Sequence, residues 1–281
     1  MLKVPHNRYY WSSDIQIPAV SEYMLCRRWE TIKSNLHFSD NEKAIPKSQD
    51  GYDKLYKIRS FIDLLNNRFN KVELPEHLSV DEQMIPYCGK NGPWMYVKGK
   101  PNPWGFKVWA LASTCGFIHN VDFCVTATPA QEVYCDLCSI SNLVLKLASI
   151  IPSDANYKIS MDSLFTGVPL FFELRKRGIH CLGTVQLPRA SGLKKVVSNE
   201  CDLIRNKHSY KEYDGKLDNK GEGLRVIRWN DNKVVNIMTT FGSALPLGTC
   251  QRWDREVNAN RKVTVPCPGL ISYYNKNMGG I

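Results

Sequence analysis

The chain has 281 residues, 43% of them hydrophobic and 23% charged, which excludes wholesale disorder and provides for one large domain or two ordinary ones with real cores. Its 37 Lys and Arg against 27 Asp and Glu give a formal charge of +10, which favours a polyanionic partner such as nucleic acid, with an acidic membrane surface as the alternative. No apolar run is long enough to span a bilayer, and Met1–His6 lacks the apolar core of a signal peptide.

The first segment, to about residue 74, reads as helical. Leu25, Trp29, Ile32 and Leu36 follow helical spacing, with Pro18 and Ser21 marking the start. After a break at Ser39–Asn41 and Ile45–Lys47, a second helix carries Leu55, Ile58, Ile62, Leu65 and Phe69 on one face. The basic residues on both helices read as a solvated polar face. From residue 74 to about 185 the pattern is mixed. A strand at 77–87 is followed by strands at 107–112 and 118–125, joined by a Cys115–Gly116 turn, which predicts an antiparallel meander. A helix through Ile140, Leu143, Val144, Leu147 and Ile150 stops at Pro152. A strand at 157–162 comes next, then a helix with Thr166 as its N-cap and Gly178 as its left-handed terminus, then a strand at 179–185. This order of elements is that of an RNase H-like core. Residues 188–255 read as a β-rich insertion, in which Leu224–Trp229 and Val234–Thr239 flank the turn Asn230–Asn232. The 10 cysteines favour a reducing nuclear or cytosolic setting; Cys135 and Cys138, the one CxxC, lack a second metal-binding pair and read as loop cysteines.

Two strands each carry one aspartate on the polar phase near the C-terminal end: Asp81, after Leu78 and Val80, and Asp162, after Tyr157, Ile159 and Met161. If the strands are neighbours the two acids repel each other, and a divalent cation relieves that repulsion. Two such acids suit a hard, oxygen-seeking Mg²⁺. Taken alone, the two residues favour the plainer reading that both acids end strands at the surface. Asp122 and Asp231 are weaker alternatives, on a meander strand and in a turn. Trp94, Trp104 and Trp109 are candidates for stacking on bases, against a default of core and loop packing.

The chain resembles the piggyBac transposases and the piggyBac transposable element-derived proteins. The resemblance is distributed over Tyr10-Trp11, Leu36–Asn41, Ser79–Met84, Lys100–Trp109, Met161–Thr166, Leu174–Ile179, Gly183–Val185, Trp229–Lys233 and Tyr274–Gly280. It implies an α/β fold (α+β in detail): an RNase H-like catalytic core with a helical N-terminal region and a β-rich insertion. The expected boundaries are 1–74 for the helical region, 75–187 for the first part of the core, 188–255 for the insertion and 256–281 for the return to the core. It implies cut-and-paste DNA chemistry at three catalytic aspartates with two Mg²⁺ ions, and Asp81 and Asp162 take the first two positions as metal ligands. Double-stranded DNA is the implied partner, with the nucleus as compartment, no membrane, and a homodimer compatible with the family. Lys98, Lys100, Lys107, Lys194 and Lys195 are the candidate phosphate contacts, which give salt-dependent affinity with little sequence specificity.

The sequence also departs from the family pattern. Ser163 stands where an asparagine usually follows the second aspartate, and Gln186 where an arginine usually follows Gly-Thr-Val. The third aspartate is expected just beyond the Tyr274–Gly280 run, and Ile281 is the last residue, so the expectation is a chain without that carboxylate, inactive as it stands. The alternatives are a domesticated DNA-binding or partner-binding protein without catalysis, and a stand-alone Mg²⁺-dependent nuclease that recruits some other acid.

Overall fold

The computed structural model describes residues 4, 6–14, 17–87, 94–124, 137–186, 208–216, 223–254 and 261–279. The chain falls into two compact units, residues 1–63 and 64–281.

The first unit contains α1 (Pro18–Ser21), α2 (Cys26–Asn35) and most of α3 (Tyr56–Phe69). The helix expected to start at Pro18 is therefore two. The Trp11 indole N–H donates to the Met24 carbonyl at 2.6 Å, occupying an acceptor that a continuous helix needs, and Leu25 is extended. No residue of α2 is buried, so its expected apolar stripe lies open. Leu55 and Ile62 form the buried centre of this unit, Phe38 stacks on Phe61, and the Arg59 guanidinium holds Asp53 below the usual carboxylate range through two hydrogen bonds.

The second unit is built on a nine-stranded mixed sheet. Its strands are β1 (His77–Pro86), β2 (Met95–Tyr96), β3 (Trp104–Ser113), β4 (Ile118–Phe123), β5 (Lys158–Met161), β6 (His180–Thr184), β7 (Tyr210–Lys216), β8 (Gly223–Asn230) and β9 (Val234–Thr239). The order is β2-β3-β1-β5-β6-β9-β8-β7, with β4 also paired to β3. β1, β3 and β4 form the antiparallel meander, turned at Gly116, whose φ of +87° suits a residue without Cβ. β1, β5 and β6 run parallel, and β9 joins β6 antiparallel, so the strands at 210–239 prolong the same sheet. β10 (Gly248–Asp254) and β11 (Arg261–Cys267) form a separate hairpin.

Alternation along the strands covers both faces of the sheet. Val80, Met161, Cys181, Val226 and Met238 enter one core, together with α4 (Ser139–Leu147) and α5 (Val168–Lys176). Their strand neighbours Leu182, Ile227 and Ile237 enter a second core with Leu270 and Ile271 of α6 (Gly269–Asn277). A period of two forces this division, since successive side chains point to opposite faces. Leu170, Phe171 and Leu174 of α5 are fully buried, each worth about 1.5–3 kcal/mol of apolar transfer.

The expected cap of α5 differs. Gly167 is the N-cap, and the Thr166 hydroxyl instead donates to the Asp162 carbonyl at 2.8 Å. The other end agrees with expectation: Gly178 has φ +70°, and the Gly178 and Ile179 amides donate back to Arg175 and Leu174.

Candidate active site

The parallel ladder carries the two aspartates to the same level. The last paired residues of β1 and β5 are Val80 and Met161, and Asp81 and Asp162 directly follow them. The β5–β6 ladder ends with Met161 opposite Gly183, so Thr184 is next in the same row. Adjacent strands lie about 4.8 Å apart, which makes Asp81, Asp162 and Thr184 lateral neighbours just past the carboxyl end of the parallel ladder, where open α/β sheets bind ligands. Asp81, expected near the end of its strand, lies mid-strand in β1, which runs on to Pro86 against β3. Because Val80 and Met161 face the α4–α5 core, the aspartates face the α6 side.

Local hydrogen bonds fix both carboxylates. Asp81 Oδ1 accepts from the Glu82 amide at 2.7 Å, and Asp162 Oδ1 accepts from the Leu164 amide at 2.8 Å. The Asp162 carbonyl also accepts from the Phe165 and Thr166 amides, so the chain turns sharply as it leaves β5. Burial pushes the Asp81 carboxyl above the usual carboxylate range, and the charge of Asp162 adds to that, against the pull of the Glu82 amide and Lys100.

Tyr274 of α6 reaches this row. Its phenol shares a hydrogen bond with Thr184, and burial raises its pKa, with the charges of Asp162 and Asp81 acting in the same direction. One residue earlier, the Tyr273 hydroxyl meets His77 Nδ1 at 2.6 Å, which ties α6 to the start of β1. Thr184 and Tyr274 had no role in the sequence reading. Thr184 was detectable by the signal that singled out the acids, a polar residue ending a buried strand.

The candidate lysines divide. Glu82, on the opposite face from Asp81, ion-pairs with Lys107 and with Lys100, the latter at 3.3 Å. Burial alone would raise the Glu82 carboxyl, but the hydrogen bond and charge of Lys107, helped by Lys100, hold it below the usual range. Lys107 Nζ also lies 4.1 Å from the Trp109 ring centroid. Lys98 is exposed, and Lys194 and Lys195 lie outside the described residues. Asp122 is paired with Lys146 at 2.9 Å, and both oxygens of Asp231 accept from Arg252, so each of these alternative acids faces a cation of its own. Cys138 precedes α4 with its thiol 3.2 Å from the Ser141 hydroxyl, and Cys135 lies outside the described residues. The two departures from the family pattern touch: Gln186 Nε2 donates to Ser163 Oγ at 3.4 Å. Among the described residues, no group of three or more His, Cys, Asp or Glu converges.

A mixed sheet with paired aspartates just past the end of a parallel ladder defines an α/β protein with an acidic site. A family model described as Transposase IS4 matches residues 1–281. The human PiggyBac transposable element-derived protein 3 is 31% identical over 285 residues, covering 100% of this chain and 46% of that protein. The human PiggyBac transposable element-derived protein 2 is 29% identical over 293 residues, covering 100% and 46%. A cryo-EM structure of a piggyBac transposase synaptic complex with hairpin DNA superposes with a TM-score of 0.66 at 18% identity, covering 96% of this chain and 53% of that one. The chain belongs to the piggyBac-type transposase family, as a transposase-like member whose human relatives are transposable element-derived proteins. It spans about half the length of these curated relatives.

Proposed function

We propose that this chain carries the core of a piggyBac-type DNA transposase, in which Asp81 and Asp162 hold divalent metal for phosphodiester cleavage and strand transfer. The observation that carries the reading is their position in one row of the β1–β5 ladder, with Asp81 raised by burial and by Asp162. The β4-β3-β1-β5-β6 order, with β1, β5 and β6 parallel, supports an RNase H-like core, to which the strands at 210–239 add as an extension. In this reading the partner is double-stranded DNA and the compartment the nucleus.

The residues present fit Mg²⁺ in kind. They are carboxylate oxygens, and their mutual repulsion is relieved by a hard cation. When bound, the metal supplies Lewis-acid activation of the phosphodiester and of the attacking oxygen. The chain's own residues prepare the site. The Glu82 and Leu164 amides orient the two carboxylates, and Lys107 and Lys100 keep Glu82 engaged on the other face. Lys98, exposed in the turn before β3, is placed for a phosphate contact, and Lys194 and Lys195 are further candidates.

Isothermal titration of Mg²⁺ or Mn²⁺ into the chain, beside the Asp81→Ala/Asp162→Ala variant, tests the reading. Binding lost in the double variant supports a shared metal site, and strand nicking by the wild type under the same conditions extends it to catalysis. Equal titration curves would reject Asp81 and Asp162 as metal ligands and leave DNA binding without chemistry.

A further inference from the structure

Three aromatic rings lie exposed on the face that carries the aspartates. β2 pairs with β3 so that Tyr96 lies opposite Trp104. The Trp104 ring packs against Tyr96 at 4.8 Å and against Trp94 at 5.1 Å between centroids, at tilts of 53° and 58°. All three remain open, at 38% for Trp94, 54% for Tyr96 and 49% for Trp104, whereas Trp109 on the same strand is buried. The ladder register fixes which face they occupy. Asp81 lies opposite Ala110 on β3, and the β1–β3 pairing runs without a break to Pro86 opposite Gly105, with the Tyr87 amide donating to the carbonyl of Trp104, six residues from Ala110. An even separation keeps Trp104 on the Asp81 face, and with it Tyr96 and Trp94. Six residues of strand span about 20 Å, close to six steps of a nucleic-acid duplex at about 3.4 Å each.

Among the described residues, the surroundings lack acids and present one exposed lysine, Lys98. Residues 94–106 contain Lys98 and Lys100 and no acid, and Gln83 to Tyr87 on the neighbouring strand contain none either; Lys107 lies on the opposite face and, like Lys100, is paired with Glu82. The nearest acid along β1 is Glu82, which is committed to its two lysines. Exposed rings bordered by the exposed Lys98 and by no acid suit a ligand with flat apolar faces and a negative backbone, and an unpaired nucleotide has both. A protein partner matched to this surface would bring apolar side chains together with acids, and nothing in the ring packing calls for that; the charge and the shared face favour DNA.

We propose that Trp94, Tyr96 and Trp104 form a stacking platform for unpaired DNA bases, about 20 Å from Asp81 along the same sheet face. This rests on DNA being the substrate of the aspartate site, and it adds a subsite that holds bases outside a duplex. The rings stack on the bases and Lys98 contacts the adjoining phosphate. Sequence preference is weak, because every base offers a π face.

The test uses the full chain in EDTA, so that metal binding plays no part. A labelled thymidine homopolymer and a blunt duplex of equal length are titrated by fluorescence anisotropy, and tryptophan quenching is followed in parallel. Trp104→Ala and Trp94→Ala should each weaken single-strand binding on the order of tenfold while changing duplex binding little, and Trp104→Phe should retain most of it. Trp253→Ala, at an exposed ring on the β10–β11 hairpin, should change neither. Lys98→Ala should lower the salt dependence and leave the quenching. Single-strand affinity unchanged in Trp104→Ala and Trp94→Ala, with wild-type melting temperatures, would overturn the platform. So would variants that lose only self-association by sedimentation, since the rings would then be a protein contact. Failure of the wild type to bind either DNA would instead remove the DNA reading itself, and unchanged duplex binding with unaffected ring variants would remove the platform alone.

Discussion

Glu82 and Lys107 form an ion pair across the β1–β3 ladder, one residue from Asp81 and on the opposite face. Consecutive residues of one strand thus carry two carboxylates with different fates. Glu82 is held charged by Lys107 and Lys100, while Asp81 turns toward Asp162 and α6. The pair removes a competing carboxylate from the aspartate row and neutralises charge beneath it.

Replacing Lys107 with Met should therefore be costly, because Glu82 is mostly shielded from water and would keep only Lys100. The expected loss is about 1–3 kcal/mol by urea unfolding at neutral pH. The Glu82→Gln/Lys107→Met double variant should recover part of it, since no lone buried charge remains. Additive losses in the double variant would show that the pair contributes little beyond packing.

Asp81 is predicted to cost stability at neutral pH. Its carboxyl titrates higher in the folded chain than in the unfolded one, so its contribution is most favourable below the unfolded value and is lost as pH rises through the folded value. At neutral pH without metal, Asp81→Asn should raise the melting temperature rather than lower it. The difference should close below about pH 4, where the wild-type carboxyl is protonated in both states. A lower melting temperature for Asp81→Asn at neutral pH would contradict the repulsion.

His119 predicts acid sensitivity of the meander. It is buried on β4 beside Phe117, neither ring nitrogen meets a hydrogen-bond partner among the described residues, and burial depresses its pKa. Burial, with the charges of Lys158 and Arg175, depresses His180 as well. A depressed histidine stabilises fully above its unfolded pKa, and that stability is lost as pH falls through the folded value. Melting temperature should thus drop as pH goes below about 6.5, and His119→Phe should flatten much of that slope, leaving the share of His180. Parallel slopes for the two proteins would assign the acid sensitivity elsewhere.

The local signals in the sequence were short in range, and the features they reached are local ones. Alternation through Leu78-Val80 and Ile159-Met161 placed Asp81 and Asp162 on the polar phase of their strands, because side-chain direction in a strand depends only on parity. Helical spacing found α3, α4 and α5, and Gly178 marked the end of α5 because only a left-handed residue closes that turn. The same local signals misled where a distant group intervened. Pro18 and the Leu25–Leu36 spacing read as one helix, but the Trp11 indole takes the Met24 carbonyl and divides it. Thr166 read as a cap, but the turn after β5 offers its hydroxyl the Asp162 carbonyl.

By itself, the sequence determined the family, the strand phase of both aspartates and the helices α4 and α5, since each rests on residue order and short-range periodicity; α6, and the mid-strand place of Asp81 in a β1 that runs on to Pro86, it did not show. Tertiary structure alone decided which strands are neighbours, and so whether the two acids share a row or sit apart. It also decided that Glu82 is occupied by lysines 18 and 25 residues away, that Gln186 meets Ser163, and that Tyr274 joins Thr184 beside the pair. These are contacts between groups far apart in the chain. They depend on which strand pairs with which and on which cation lies within a few ångströms of a shielded carboxylate, and no local pattern records either.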